Sequence, residues 1–590
     1  MTRALYRSQW FELLGHFQEN DERAARTTVE AMMKAARSTG VRRLADYARI
    51  AVHVARRAEQ LGRPGGARLA YDAAVALDDT NFDAAAARVT FFVRSGRFSE
   101  AFRTLPSVAT ALFASSESRL SFLSSLVLVM VAAVAAGVLA TILALFLRHS
   151  RCLAHDLRET ASRPFAHRVA TPIACVMLAL PIFFALGPVW LLLYWAALAY
   201  AYCGRRERVL LAFGLLALGF APLVVDAVAR ENLLRRSPIY LGAVDLAERR
   251  EDLSVEDGLT SLALAYPDQP DAWFLLGRYA ERTGDNARAL AAYGRAIETN
   301  PRDYRALVNR GNVRFLEGEY PEAISDYEEA GRRAPESAEA FYNLSVARSE
   351  IYDFRGQEAA RARALQISRR DVDAWSSSPP LTRVVPASYR IADARENARA
   401  WGERAAGRPK TGPRWAFRAV LFSPWCLAPW GALLAAVGVG AIRSRTGLAS
   451  ECARCGRPFC RRCKRYGGPP LFCARCVRLH ARKEAPEEEV REENLSALNR
   501  AMRRRLLVRF GSVPIPGLHR FFSGHPWRGF VLLVLFFFAL ALAVGGPWLF
   551  DVAPFAHAGA ALPWRIGLGA VALFLWLTGL AGAWRMTRES

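Results

Sequence analysis

Six thiols stand in three Cys-x-x-Cys pairs within a short stretch: Cys452 and Cys455, Cys460 and Cys463, Cys473 and Cys476. Two such pairs separated by 17 residues can point four sulfurs at one tetrahedral zinc, so Cys452, Cys455, Cys473 and Cys476 are the expected metal ligands. Cys460 and Cys463 fall between those pairs, and His480 is the nearest candidate for a third ligand beside them. One zinc ion is therefore expected, and a second is open. A redox dithiol needs an exposed thiolate of low pKa at a helix start, which three pairs packed so closely do not favour. Thiols without metal are the third reading. The other cysteines, Cys152, Cys175, Cys203 and Cys426, are scattered in or beside apolar segments.

The pattern "CARCGRPFCRRC" followed by "CARC" resembles the later part of a FYVE-type cross-braced finger, in which alternate pairs share a metal. The pair that precedes these in that family is absent here, as is its basic lipid-binding motif. The resemblance therefore implies one complete site and an incomplete middle pair, with no phosphoinositide role. Zinc thiolates persist where thiols stay reduced, which in a bacterium is the cytoplasm. Charge agrees: residues 443–528 hold 20 Lys plus Arg against seven Glu, whereas residues 551–564 hold no Lys or Arg.

The chain that positions this cluster has 590 residues and a formal charge of +24, yet half of it is hydrophobic. Such a balance fits arginine-rich loops held beside a bilayer better than a nucleic-acid surface, and no nucleic-acid partner is expected. "MTRALYRSQWFELLGHFQENDER" lacks the apolar core of a secretory signal, so export would use an internal span. An N-terminal helical domain is read over 1–118 and a membrane region over 119–228. Uncharged runs at 121–147, 169–186, 188–203 and 209–227 are its candidate spans. One helix of 35 residues would overshoot a bilayer, so the second and third are read as two short spans meeting at Gly187-Pro188, with one bent or re-entrant element as the alternative. A soluble domain over 229–414 follows. Then come a span at 419–442, the cysteine cluster at 450–483, a helix at 484–510, and a tail at 511–590 with spans at 529–550 and 566–584.

The soluble domain repeats itself. Gly284 and Gly318, Ala289 and Ala323, Tyr293 and Tyr327, Ala296 and Ala330, and Pro301 and Pro335 all stand 34 residues apart. This period resembles the tetratricopeptide repeat, a helix pair stacked into a solenoid. Gly62 and Gly96, with Ala67 and Ala101, carry the same period more faintly in the N-terminal domain. A looser third copy begins near Ala338, with Phe341, Leu344 and Ser345. The fold class expected is all-α: a polytopic helical membrane protein with a repeat solenoid and a small cytoplasmic zinc finger. The repeat resemblance implies a concave groove lined by first-helix residues, here Phe274, Arg278, Arg282, Val308, Asn312, Phe315 and Tyr342. Arg278 with Asn312 could hold a carboxylate or polar backbone; a solvated groove with no dedicated ligand is the equal alternative.

The helix at 484–510 starts with Pro486 and glutamates and ends in Arg503, Arg504 and Arg505, which suits its dipole. Leu495, Leu498, Met502 and Leu506 form a narrow apolar seam that a partner helix or the finger could cover; the plainer reading is a surface helix leading into the bilayer with its arginines at the headgroups. "PGLHRFFSGHPWRGF" resembles the signature of a small two-span domain family in Gly517, His519, Arg520, Phe521 and Gly524, with Phe522 in place of its Tyr. His519 and His525 read as interfacial side chains.

Together, repeats, span, finger and tail resemble an uncharacterised class of bacterial membrane proteins with tetratricopeptide repeats, and this resemblance brings no reaction with it. No phosphate loop, dinucleotide fingerprint, zinc-protease helix or nucleophile elbow is present, so a non-enzyme is expected. Span centres without Asp, Glu, Lys or Arg disfavour transport. The expected role is a scaffold in the bacterial inner membrane, its repeat domain binding a protein or peptide in the periplasm, its finger and C-terminus cytoplasmic. A non-catalytic accessory subunit of a membrane enzyme, secretion or transport complex is the second reading. A metal- or redox-responsive signalling protein is the third.

Overall fold

The 34-residue spacing resolves into antiparallel helix pairs. In the computed structural model, which describes residues 2–38, 40–114, 116–162, 167–184, 187–235, 237–377, 382–405, 420–460, 463, 471–481, 486–549 and 562–589, Pro270–Thr283 pairs with Asn286–Thr299. Tyr304–Leu316 pairs with Tyr320–Arg333, and Ala338–Glu350 with Phe354–Ile367. Each pair turns through a left-handed residue, at φ +75° in Gly284, +82° in Gly318 and +60° in Tyr352. Side chains of Asp285, Ser337 and Asp353 then cap the following helices by accepting backbone N–H bonds. The helices approach closely because a Cβ on Gly277 would lie 2.5 Å from the Tyr293 ring, and one on Gly311 2.7 Å from that of Tyr327. The third copy has Ser345 and Arg361 at those places; with no ring to accommodate, a side chain fits.

These repeats belong to a unit made of residues 1–120 and 230–410. A further helix pair, Pro238–Ala247 and Leu253–Ala265, precedes the first repeat, and the segment after the third runs into helix Ile391–Ala405. The N-terminal residues form six helices from Thr2–Glu19 to Phe98–Ala114, with Gly62 and Gly96 again left-handed at φ +69° and +71°. Their core includes Trp10, Met32, Leu77 and Phe91. They join the repeat side of the unit through a short parallel bridge, Arg43 opposite Arg250 and Leu44 opposite Glu251. Arg49 grips Asp252 with two N–H···O bonds of 2.7 Å.

The second unit comprises residues 121–229 and 411–590. Among the described residues, five helices are long and apolar enough to cross a membrane: Phe122–Ala161, Arg205–Asn232, Pro424–Ile442, Pro526–Val544 and Gly567–Arg585. They cover most of the runs expected at 121–147, 209–227, 419–442, 529–550 and 566–584; residues 419 and 550–561 lie outside the described residues. The runs at 169–186 and 188–203 instead form His167–Leu178, Leu180–Phe183 and Pro188–Tyr200. With 12 and 13 residues, the two longer ones rise about 18 and 20 Å, short of the ~30 Å hydrocarbon core. Seven expected spans thus become five long helices and a short broken pair.

The signature near residue 520 is a packing device. Gly517, at φ +85°, opens the short helix Leu518–Phe522. The His519 ring lies where a Cβ on Gly582 would meet it at 2.4 Å, so the final long helix is pressed against it. Burial, with Arg520 beside it, lowers the His519 pKa to about 4, and the ring is neutral at pH 7. His525 is exposed, as an interfacial residue would be.

Candidate functional site

Strands Ser450–Glu451 and Pro458–Phe459 pair antiparallel and fold the first cysteine pair into a tight turn. Cys452 N–H donates to the Arg457 carbonyl at 3.0 Å, and Gly456 N–H returns to the Cys452 carbonyl at 2.9 Å. Cys473 stands just before the short helix Ala474–Cys476, so its partner thiol follows one turn later. The ligand atoms of Cys452, Cys455, Cys473 and Cys476 all lie within 4.8 Å of one another, and all four residues are buried. Cys455 Sγ is 3.8 Å from Cys473 Sγ. That separation matches the edge of a tetrahedral tetrathiolate zinc, about 3.8 Å for Zn–S of ~2.3 Å, and is far from a disulfide of ~2.05 Å.

Electrostatics favour a bound cation. Burial raises the Cys455 and Cys476 thiols. Burial also acts on Cys452, but backbone N–H groups of Cys455, Cys473 and Arg454 directed at its sulfur outweigh it and bring it down to about 7. Four thiolates so close together repel, and a divalent cation offsets that repulsion. The cluster could bind a metal such as zinc. His480, half-buried on the turn after Cys476, joins no group of metal-ligating side chains among the described residues.

The helix expected at 484–510 is Glu487–Gly511, and it docks on the finger through a polar face. Glu493, 2% exposed, receives Arg500 at 2.6 Å, Arg475 at 3.0 Å and Arg457 at 3.2 Å. Arg500 Nε also donates to the Cys455 carbonyl at 2.9 Å. The apolar seam is not what the finger covers: Leu495, Leu498, Met502 and Leu506 are all exposed. A second ionic cluster joins Glu207 to Arg148 at 2.7 Å, to His149 at 3.0 Å and to the Gly204 N–H at 2.9 Å, with Cys203 nearby. Its carboxylate is paired with Arg148.

The repeat groove holds a strand of the chain itself. Along residues 385–390, Val385, Ala387 and Tyr389 are buried while Pro386, Ser388 and Arg390 are exposed, the alternation of an extended strand. Asn309 Nδ2 donates to the Ala387 carbonyl at 3.1 Å, and its Oδ1 accepts the Ala387 N–H at 2.8 Å. Asn343 treats Val385 the same way, at 2.7 Å in both directions. Asn312 adds a bond to the Val385 carbonyl at 3.1 Å and accepts from Tyr327 and Asn343. Tyr389 reaches Asp271, also bound by Asn397, and lies on the ring of Phe274.

Consequently the residues expected to line an open groove are not open. Phe274, Val308, Asn312, Phe315 and Tyr342 are buried. Arg278 pairs with Glu281 at 2.8 Å instead of joining Asn312. Arg282 lies over the Tyr279 ring, 3.8 Å from Asp245. Asn309 and Asn343, which do most of the holding, were not among the expected residues. Their separation of 34 positions is the signal that marks them as one repeat position used twice.

The tetratricopeptide repeat family matches this chain at residues 259–293 and 274–338. No curated protein matches it in sequence. Solved structures similar to it include the MamA protein, 18% identical over 32% of this chain and 98% of that one, TM-score 0.21. Yeast Tom70 is 12% identical over 71% and 99%, TM-score 0.22. The TPR2AB domain of yeast Sti1, solved as a complex with pHSP90, is 13% identical over 60% and 98%, TM-score 0.18.

Proposed function

We propose that this chain is a non-catalytic membrane adapter whose tetratricopeptide groove takes an extended peptide, with a structural zinc finger on the opposite side of the bilayer. The observation that carries this reading is the asparagine ladder. Asn309, Asn312 and Asn343 bond to main-chain N–H and C=O groups of residues 385 and 387, so the grip is on backbone rather than on particular side chains. A groove built this way accepts any extended segment with small or apolar side chains at alternate positions. Its present occupant is such a segment, and a partner peptide would exchange with it.

Topology supports the two-sided reading. Residues 1–120 and 230–410 form one unit, which supports an even number of crossings between them, with Phe122–Ala161 and Arg205–Asn232 as the two candidate spans. One more crossing, Pro424–Ile442, separates that unit from the cysteines. With the zinc thiolates in the reducing cytoplasm of a bacterium, both soluble helical domains face the periplasm.

The test uses the full chain in detergent with residues 384–389 replaced by a Gly-Ser linker, and a fluorescent peptide of sequence RVVPASYR as probe. The replaced protein binds the peptide saturably, the wild type binds it far more weakly, and Asn312→Ala in the replaced protein abolishes binding. Absence of binding to the replaced protein, with its helix content intact, refutes a peptide-accepting groove.

A further inference from the structure

Cys460 and Cys463 stand outside the four-thiol centre, yet they are not alone. Their sulfurs are 3.7 Å apart, and Nε2 of His155 is 3.5 Å from the Cys463 sulfur. The three ligand atoms lie within 4.8 Å of one another. His155 comes from the end of helix Ser116–Ala161, eight residues beyond the uncharged run at 121–147.

We propose that His155, Cys460 and Cys463 hold a second divalent cation of the zinc type. The spacing carries the argument. Around a tetrahedral zinc, two thiolates sit about 3.8 Å apart and a thiolate and an imidazole nitrogen about 3.6 Å apart; the observed 3.7 and 3.5 Å agree with both edges. Cys152, three residues before His155 on the same helix, is buried beside Cys460 and Ala449 but its sulfur stands outside the three-ligand group. One imidazole on a helix thus faces a Cys-x-x-Cys turn.

The surroundings hold these halves in register. Asp156 accepts the Tyr202 hydroxyl at 2.7 Å and the Ala449 N–H at 3.1 Å, fixing the chain that enters the finger beside the helix that carries His155. The ligands come from segments some 300 residues apart, so this metal would tie the end of the first long apolar helix to the finger. The four-thiol centre closes a local loop; this one is a cross-link through the second unit. The inference does not rest on the groove reading, and its metal count is independent of peptide binding.

Metal content of the purified full chain, measured by mass spectrometry after growth with zinc, tests it. Wild type carries two zinc ions, His155→Gln carries one, and His155→Cys carries two. With cobalt in place of zinc, His155→Cys shifts the visible bands toward those of a more sulfur-rich site. One zinc in the wild type, or two retained in His155→Gln, overturns the site. If His155→Gln loses both ions, recovery of both in His155→Cys upholds the assignment and failure to recover them overturns it.

Discussion

Replacing Asn343 by Ala would loosen the groove segment in a measurable way. Asn343 is fully buried; it donates to the Val385 carbonyl, accepts the Val385 N–H and donates to Asn312, at 2.7 to 2.8 Å. In the variant the Val385 carbonyl keeps its bond from Asn312, but the Val385 N–H is left buried without an acceptor. An orphaned buried donor costs about 1 to 3 kcal/mol, and the vacated side-chain volume adds to it, so the segment's opening free energy falls by about 2 to 3 kcal/mol. At 1.4 kcal/mol per factor of ten, amide exchange at residues 385 and 387 accelerates about 30- to 150-fold. Hydrogen exchange read by mass spectrometry on the full chain, using peptides covering 382–391 and the helix Tyr304–Leu316, follows both. Acceleration confined to the first peptide is expected. Exchange within threefold of wild type in that peptide would refute the ladder as the element that holds the segment.

Tyr352 sits at φ +60° in a turn where the two preceding repeats use Gly, and it is 79% exposed; Tyr352→Gly should stabilise the third repeat by about 1 kcal/mol, seen as slower exchange across 338–367. Glu493→Gln removes the charge on which three arginines converge. Because those arginines are partly exposed, the loss is about 2 kcal/mol, read as faster proteolysis between the finger and Glu487–Gly511 with zinc content unchanged. Asp245 is buried, which raises its pKa to about 7 against the opposing effects of Tyr279, Arg282 and Arg250. The folded state thus holds a proton that the unfolded chain releases near pH 4. The stabilisation is complete below that pH and is lost as pH rises to about 7, so wild type weakens across this window and Asp245→Asn does not. Single cysteines placed at 20 and 320 should label from outside intact cells, and one at 470 only after lysis; a residue 320 that labels only after lysis would sink the two-sided arrangement.

The repeats and the four-thiol set were legible because both are written in fixed local intervals. Gly277 and Gly311 are small because Tyr293 and Tyr327 lie against them, and each partner is only 16 residues away. The groove's occupant was not legible in this way. Val385 and Ala387 meet their asparagines across 42 and 78 residues, and nothing local says that a strand-like alternation in "VVPASYR" will fold back onto helices. His155 was still harder to find, a single histidine 308 residues from the cysteine it faces. The seam of Leu495 and Leu498 is exposed, as on a surface helix, and its neighbour was not legible for a different reason. Helical periodicity identifies an apolar face but not its neighbour, and here the buried ion cluster around Glu493 decides how the helix lies.

The strand in the groove is part of the same molecule, joined by a few residues to the helix it leads into, and this changes what an incoming ligand faces. A short tether keeps its end at a local concentration on the order of millimolar. If the segment and a free peptide each bound the bare groove with a Kd of about 10 µM, the groove would be vacant about 1% of the time, and the free peptide would need about 1 mM to half-fill it. On the adapter reading proposed above, dilute ligands would be screened out, and those that succeed would bind intrinsically tighter than the resident sequence or arrive tethered beside it.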